Sequence, residues 1–350
     1  VYVDSNEGIV DTEPTDADRE AAIKYANRKP VADFDGQGVL ADGTRVPLYA
    51  NVGDGKSAEK AASLKAEGVG LLRTEFGFLG HDAEPSIETQ AKTYKSVFDA
   101  FPGKHIVVRT LDAGADKPLP FLNVNPEENP ALGVRGFRTD WTVPGVLTRQ
   151  LEAIKAASEN SDADIWVMAP MISTTSEARN FANMLKEIGL PVHGVMVETP
   201  AAVMNAEAIL GEVDFVSIGT NDLTQYTMAA DRLLGDLAHL NNPWQPAVLK
   251  MIKMTVEGAQ RASVTAGKKK YVSVCGEAAA DPALAVVLIG LGVDTLSMNA
   301  GAIPAVAAVL KSVTKEKAQQ IAAIALQQIS SAEAKESARQ ALPILDELGL

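Results

Sequence analysis

Arginines stand at the ends of two short apolar runs in this 350-residue chain. Arg73 closes the run GVGLLR, and Arg109 closes the run HIVVR. A guanidinium at the end of a buried strand needs an anionic partner, because an unpaired buried charge is costly. For either arginine alone, a structural ion pair with Glu75 or Asp112 is the simpler explanation.

Three more arginines favour a bound anion instead. Arg135 and Arg138 follow the second run, and Arg232 follows a later predicted strand. A guanidinium fork matches phosphate oxygens bidentately. The arginines together therefore predict phosphate or a phosphorylated carboxylate as the ligand, and a formal net charge of -13 does not prevent such local binding.

Two carboxylates predict a cation site beside these arginines. Glu198 in VMVETP and Asp222 in IGTNDLTQY come at neighbouring strand ends and suit one hard divalent cation, with positions left for substrate oxygens and water. Magnesium fits better than zinc, since the sequence has no Cys/His cluster. A hydrogen-bonded network is the alternative. Asn221 and the backbone N–H groups of its turn can also meet an anion.

Cys275 is the candidate acid-base group. An isolated cysteine on an apolar strand is usually buried and inert, but this one ends a strand near the predicted arginines and carboxylates. His105 and His193 begin strands, so we expect them at the opposite, stability-determining face. His81 and His239 lie in loops and are interpreted as loop contacts.

Short β-rich runs alternating with helical stretches must position these side chains. Eight strands are predicted, at residues 47–52, 69–74, 105–110, 165–170, 194–198, 215–219, 272–276 and 294–298. Eight β/α units in about 250 residues predict an α/β fold, a closed parallel (β/α)8 TIM barrel, with an open doubly wound sheet as the alternative. The carboxyl ends of barrel strands meet at one mouth, so the candidate residues should converge there.

Helical segments are predicted on both sides of the barrel. The chain opens on Val1 and an apparent strand, which suggests that it begins inside a larger protein. Residues 1–30 would then be the end of a preceding domain and a linker helix running from Thr15 to about Arg28. Residues 31–313 would form the barrel, with an Asp42-Gly43 hairpin turn near its start, and residues 314–350 a helical tail.

Composition excludes several classes of protein. The pI of about 4.9 and the lack of basic runs with interleaved aromatics argue against a nucleic-acid partner. The longest strongly apolar stretch, at 283–293, is too short to cross a bilayer, so we expect no membrane insertion. A single cysteine excludes an intrachain disulfide and fits a cytoplasmic location.

Seven segments in one order resemble the C-terminal phosphoenolpyruvate-binding domain of Enzyme I of the bacterial sugar phosphotransferase system. They are GVGLLRTEF, VVRTLDAGADK, ENPALGVRGFR, APMISTTSEAR, GVMVETPAA, FVSIGTNDLTQYTMAADR and VCGEAAADP. The resemblance runs from Val39 to about Lys311. Pyruvate phosphate dikinase and phosphoenolpyruvate synthase look similar in this domain and are alternatives, although RTEF and QYTMAADR are closer to Enzyme I.

The resemblance implies a role for each candidate residue. Arg73, Arg109 and Arg232 would hold the phosphoryl and carboxylate groups of phosphoenolpyruvate, assisted by Asn221 and the amide of Asp222. Glu198 and Asp222 would bind Mg²⁺, and Cys275 would be the acid-base group at the methylene carbon. Supporting contacts would come from Arg135 and Lys117.

The resemblance also implies partners. The family forms homodimers through the barrel, accepts the phosphoryl group on a histidine of a separate N-terminal domain, and passes it to the histidine-containing carrier protein of sugar uptake. None of the four histidines here has the expected Thr-His-Ala-type setting, so we expect this chain to bind substrate without completing phosphotransfer alone.

Two departures and two rival functions remain at this point. The segments LDAGADK and CGEAAAD carry Ala where the family is expected to have Gly, which could change loop flexibility. A non-catalytic phosphoenolpyruvate sensor would not need both the thiol and the carboxylate pair. A self-contained lyase or mutase acting on a pyruvate enolate would need no external histidine.

Overall fold

A computed structural model describes residues 1–4, 9–26, 31–113, 119–122, 126–159 and 161–350. The described chain begins with a two-stranded antiparallel ribbon, β1 (Tyr2–Asp4) and β2 (Ile9–Asp11), followed by helix α1 (Asp16–Ala26). Thr15 and Asp18 form the predicted cap of α1 through reciprocal backbone-to-side-chain hydrogen bonds. Arg28, the expected end of this helix, lies outside the described residues.

Eight parallel strands close into a barrel, which confirms the predicted TIM-barrel fold. They are β3 (Leu48–Val52), β4 (Gly68–Arg73), β5 (His105–Arg109), β6 (Asp164–Ala169), β7 (His193–Val197), β8 (Phe215–Ile218), β9 (Tyr271–Val274) and β10 (Thr295–Met298). Pairing of β10 with β3 closes the ring and excludes the open doubly wound sheet. The largest departure from the predicted bounds is the end of β9, expected at Gly276 and observed at Val274.

Helices cover the outside of the barrel between successive strands. They are α2 (Gly55–Ser63), α3 (Ile87–Phe98), α4 (Val146–Ser158), α5 (Thr175–Ile188), α6 (Pro200–Met204), α7 (Ala206–Glu212), α8 (Thr220–Met228), α9 (Pro246–Ala266), α10 (Pro282–Leu291) and α11 (Ile303–Leu310). Local sequence sets their ends. For example, α5 begins at a capping box of Thr174 with Glu177 and ends at Gly189, whose φ of +83° suits glycine.

Three apolar clusters lie among the described residues, and two of them form the layers of the barrel. The larger lies between the strands and the surrounding helices and includes Leu48, Val108, Phe181 and Leu288, all fully buried. A smaller cluster fills the barrel interior, with Leu71, Val107, Met168, Met196, Phe215 and Cys275. The barrel interior is therefore a packed core and not an open pore.

The tail consists of α12 (Lys315–Leu326), α13 (Ser331–Gln340) and α14 (Ile344–Leu348). Helix α12 packs closely on α10, where a side chain at Gly290 would collide with the backbone of Ala318. The Asp42-Gly43 turn joins the bridged residues Val39 and Arg45, as predicted. The domain boundaries themselves stay predictions. Within the described ranges, no helix has both the length and the apolar character needed to span a bilayer.

Candidate active site

All eight candidate site residues line one cavity of about 530 Å³ at the carboxyl ends of the barrel strands. Arg73 and Arg109 are the last residues of β4 and β5, and Glu198 directly follows β7. The others are Asn221 and Asp222 in the first turn of α8, Cys275 just after β9, and Arg135 and Arg232 in loops. The structure thus brings together residues that the sequence separates by up to about 200 positions.

Arg109 makes both ion pairs that the sequence left open. Its Nη2 lies 2.9 Å from Glu75 Oε1, and its Nη1 lies 3.0 Å from Asp112 Oδ2. Burial alone would lower the pKa of Arg109, but the two carboxylates outweigh it and raise that pKa. Arg109 is therefore a fixed, fully ionised cation facing the cavity.

A chain of alternating charges continues from Asp112 across the mouth. Arg135 contacts Asp112 Oδ2 at 3.0 Å and Asp222 Oδ1 at 2.7 Å, and Arg232 Nη1 lies 3.2 Å from Asp222 Oδ2. Arg135 is almost fully buried, and its pKa is raised by the carboxylates of Asp112 and Asp222 against the effect of burial. These pairs orient the arginines before any ligand arrives.

Arg73 differs from the other arginines of the site. It is half-buried at the end of β4, and no hydrogen bond or ion pair involves it among the residues that the structure describes. Glu75, its expected structural partner, is instead bound by Arg109. Arg73 is therefore the guanidinium of this cavity whose charge is available to a ligand.

Glu198 is the most constrained acid of the site. It is fully buried, and its Oε1 accepts a 2.7 Å hydrogen bond from the backbone N–H of Met171. Its Oε2 is buried without a hydrogen-bond partner within the described part of the chain. Burial, together with the negative charges of Asp222 and Asp112, raises the pKa of Glu198 to about 8.

Gly219 makes room for this carboxylate. A Cβ atom at Gly219 would lie 2.5 Å from Glu198 Oε2. A larger residue here would push the free oxygen out of place, so glycine is required by the close approach of the two strand ends.

Glu198 and Asp222 fit a magnesium ion better than a tightly bound structural metal. No group of three or more His, Cys, Asp or Glu suited to a metal is found in the described ranges. Mg²⁺ commonly takes one or two carboxylates and completes its shell with substrate oxygens and water. The unpartnered Glu198 Oε2 and the raised Glu198 pKa are what a cation at this position would relieve.

Cys275 is buried at the floor of the cavity. Its Sγ points toward the carbonyl oxygen of Ile218 at 3.8 Å, a weak hydrogen bond. Burial raises the pKa of the thiol above its usual value, so the group is protonated at neutral pH. A protonated thiol in this place can act as an acid toward a ligand in the cavity.

Asn221 supports the turn that follows Cys275. Its Oδ1 accepts a hydrogen bond of 3.2 Å from the backbone N–H of Glu277. This contact holds the loop after β9 against the start of α8 and leaves the Asn221 amide group at the cavity wall.

Two residues near the site differ from what the sequence indicated. Arg138 does not line the cavity; it reaches Gly133 O and Ser173 Oγ, both at 3.3 Å. Tyr226, which was not singled out, lies 3.3 Å from Arg135 Nη1. Its position four residues after Asp222 on α8 was the available signal, because residues i and i+4 share a helix face. Lys117 lies outside the described residues.

The chain is similar in sequence to known phosphoenolpyruvate-utilising proteins. Residues 31–315 match the family described as PEP-utilising enzyme, PEP-binding domain. A phosphoenolpyruvate-protein phosphotransferase of Streptomyces coelicolor is 45% identical over 98% of this chain and 61% of its own length. One from Haloferax volcanii is 38% identical over 96% of this chain and 60% of its own length. The chain thus spans about three fifths of these relatives.

Among solved structures, a citrate lyase from Burkholderia xenovorans is 15% identical with a TM-score of 0.47, covering 89% of this chain and 94% of that one. That likeness concerns the fold alone. The family match and the two relatives confirm the resemblance inferred from the sequence segments. The chain belongs to the family of phosphoenolpyruvate-binding domains of phosphoenolpyruvate-utilising enzymes.

Proposed function

We propose that this chain is the phosphoenolpyruvate- and Mg²⁺-binding part of a phosphoenolpyruvate-protein phosphotransferase. The observation that carries the proposal is the presence, in one cavity, of an arginine and a buried carboxylate oxygen that both lack a partner among the residues that the structure describes. An anion carrying phosphate and carboxylate groups, bound together with a divalent cation, would satisfy both.

The arginines would bind the anion in two ways. Arg73 has no hydrogen-bond or ion-pair partner in the described part of the chain and so can bind the ligand, whereas Arg109 and Arg232 are already oriented by Glu75, Asp112 and Asp222. Preorganised cations lose little conformational entropy on binding and stabilise charge as it develops on the transferring phosphoryl group. Asn221 and the backbone amide of Asp222, at the start of α8, would assist.

Glu198 and Asp222 would hold the magnesium ion. When bound, the ion would offset negative charge on the enolate oxygen released as the phosphoryl group leaves. Binding would require Glu198 to be ionised, which its raised pKa opposes in the free chain. Affinity for magnesium should therefore increase as the pH rises toward about 8.

Cys275 would supply the proton that completes pyruvate. As the bond between phosphorus and the enol oxygen breaks, the enolate carbon takes the thiol proton and the thiolate is left to regain one from solvent. The buried, protonated thiol at the cavity floor supports this role. A sensor that only binds phosphoenolpyruvate would not need such a group.

The remaining steps concern a longer protein. The phosphoryl group would go to a histidine on a separate N-terminal domain and then to the histidine-containing carrier protein of sugar uptake, with the chain acting as a cytoplasmic homodimer. Support comes from the relatives, which are phosphoenolpyruvate-protein phosphotransferases and of which this chain spans about three fifths.

Calorimetric titration of phosphoenolpyruvate, with and without Mg²⁺, tests the binding proposal. We expect saturable binding that Mg²⁺ strengthens, and loss of the Mg²⁺ effect in Glu198→Gln, which keeps the shape of the side chain but not its charge. Glu152→Gln, an exposed glutamate on α4, is the matched control and should behave as the unsubstituted chain does. Absence of binding under all conditions would reject the proposal.

Assays of turnover and of hydrogen exchange separate the rival functions. Turnover of phosphoenolpyruvate by the chain alone would favour a self-contained lyase or mutase. Binding with no contribution from Cys275 to hydrogen exchange at the pyruvate methyl group would favour a sensor.

A further inference from the structure

Two hydrogen bonds join Ser297, Asn51 and the Cys275 carbonyl, and we call this chain of contacts the polar tie. Ser297 Oγ donates a 2.6 Å hydrogen bond to Asn51 Oδ1, and Asn51 Nδ2 donates a 2.9 Å hydrogen bond to the carbonyl oxygen of Cys275. The three residues come from or directly follow the neighbouring strands β10, β3 and β9. The tie therefore links the catalytic loop to the two strands that close the barrel.

Hydrogen-bond chemistry leaves one orientation for the Asn51 amide. A carbonyl only accepts, so Asn51 must turn its Nδ2 toward Cys275. Its Oδ1 then needs a donor, and the Ser297 hydroxyl supplies one. Removing the hydroxyl of Ser297 would free the amide to rotate away from Cys275.

The regular pairing between β9 and β10 does not extend to Cys275. Pairing of β9 with β10 ends at Val274 and Leu296, one residue before Cys275. On the other side, the Cys275 N–H donates to Ile218 O at 3.2 Å. The Asn51 side chain thus donates a hydrogen bond to the Cys275 carbonyl oxygen at the point where the regular pairing of the strands has ended.

Two further features of the barrel interior make room for the tie. The register of β3 with β4 shifts between Ala50 and Asn51. A side chain at Gly70 on β4 would collide with Ser297 Oγ. A strand irregularity at one member and an obligatory glycine beside another indicate that the space is shaped for these polar side chains.

We propose that Asn51 and Ser297 are positioning residues that fix the Cys275 peptide, and with it the direction of the thiol toward the methylene carbon of the substrate. This inference rests on the proposed function, because it takes Cys275 as the proton donor. The hydrogen bond from the thiol to Ile218 O is weak, at 3.8 Å, so the direction of the thiol depends also on the peptide that carries it. Small displacements of a proton donor reduce rates steeply.

The test uses exchange of the pyruvate methyl hydrogens with D2O in the presence of Mg²⁺, followed by proton NMR. In this half-reaction a Cys275 thiolate removes a methyl proton and the electron pair moves to the enolate oxygen. The S–H hydrogen exchanges with D2O, and the thiol then returns a deuteron to carbon, which restores the thiolate. We expect Ser297→Ala and the isosteric Asn51→Asp to lower kcat about tenfold, with KM changed less than about twofold. Ser273→Ala is the control, since Ser273 lies on β9 in the same interior but contacts Val216 O instead.

A second measurement needs no substrate. Cys275 is the only cysteine of the chain, so the rate of iodoacetamide labelling reports on this residue alone. Loss of the tie should loosen the loop and raise the labelling rate about two- to tenfold, the range of one hydrogen bond. Thermal melting of each variant shows whether it is folded under the assay conditions.

The outcomes separate this inference from the proposed function. Exchange by the unsubstituted chain, with Ser297→Ala and Asn51→Asp no slower than Ser273→Ala, would overturn the positioning role alone. No exchange by the unsubstituted chain would count against Cys275 as the proton donor, and the labelling rates would then decide whether the tie holds the loop. Labelling rates equal to that of Ser273→Ala would overturn the tie.

Discussion

The two ends of the barrel differ in the side chains that they carry, although the same eight strands form both. At the mouth, charged groups are crowded, and Glu198 Oε2 and Arg73 have no partner among the described residues. At the base, rings pack on one another: His105 lies 4.4 Å edge-on from Trp166, and Trp166 lies 5.0 Å from Phe215. The mouth therefore has groups that can still bind a ligand, whereas the side chains at the base are already packed against one another.

The histidines at the base illustrate the difference. His105 Nδ1 lies 3.2 Å from Asp164, and His193 Nδ1 lies 3.1 Å from Asp214. Both histidines begin strands, as expected, and neither lines the cavity. Unsatisfied polar groups at a binding site lower the stability of the protein. Stable packing at the base allows the mouth to hold Glu198, an acid with a raised pKa.

The largest expected effect lies at the base. Trp166→Ala removes the ring that contacts His105, Phe215 and Tyr271, so we expect a loss of about 3 kcal/mol in the free energy of unfolding measured with urea. Phosphoenolpyruvate affinity of the folded variant should stay within about twofold. Trp141→Ala, which removes a ring that is 61% exposed, is the control and should leave stability almost unchanged. A large change in affinity would show that the two ends are not independent.

At the mouth we expect a substitution to weaken ligand binding without lowering stability. Arg73→Ala should raise the Kd for phosphoenolpyruvate about 10- to 100-fold, because a charge-assisted hydrogen bond is worth about 1.5–3 kcal/mol. The melting temperature should not fall, since Arg73 has no partner to lose within the described residues. Arg179→Ala, at an exposed helix position, controls for removal of a guanidinium. A marked loss of stability in Arg73→Ala would contradict the distinction between the ends.

Glu198 should give the mouth a characteristic pH dependence. Its pKa is about 8 in the folded chain against an ordinary value of 4.5, so its contribution to stability is present below pH 4.5 and is lost as the pH rises through about 8. Glu198→Gln should therefore be more stable than the unsubstituted chain near pH 8, on the order of 1 to 3 kcal/mol, with no such difference at pH 4. Urea unfolding at pH 4 and pH 8 measures this difference in the free energy of unfolding. Equal pH profiles of the two chains would show that the ionised Glu198 does not destabilise the fold.

His193 should give the base a smaller dependence of opposite sign. Burial lowers the pKa of His193 below 6.5, although the Asp214 carboxylate opposes the shift. The stabilisation is therefore present above pH 6.5 and is lost as the pH falls through the folded-state pKa. His193→Gln should flatten this part of the profile by less than about 1 kcal/mol. A profile that instead gains stability toward low pH would show that the pairing with Asp214 dominates.

The sequence by itself determined the eight strands, the barrel and the residues that meet at its mouth. Apolar runs, caps and turn residues are local signals, and a parallel barrel then places every strand end on one face. This is why residues as distant as Arg73 and Cys275 could be assigned to one cavity before the structure was known. The same logic placed His105 and His193 at the base.

Only the tertiary structure decided which charges pair and which remain unpaired. Whether Glu75 binds Arg73 or Arg109 depends on side-chain directions at the ends of two adjacent strands, and nothing in their spacing distinguishes the two. The tie from Ser297 through Asn51 to Cys275 joins residues more than 200 positions apart and exists only because β10 closes on β3. Local sequence specifies elements, whereas contacts between strand ends depend on closure and register, which are properties of the whole barrel.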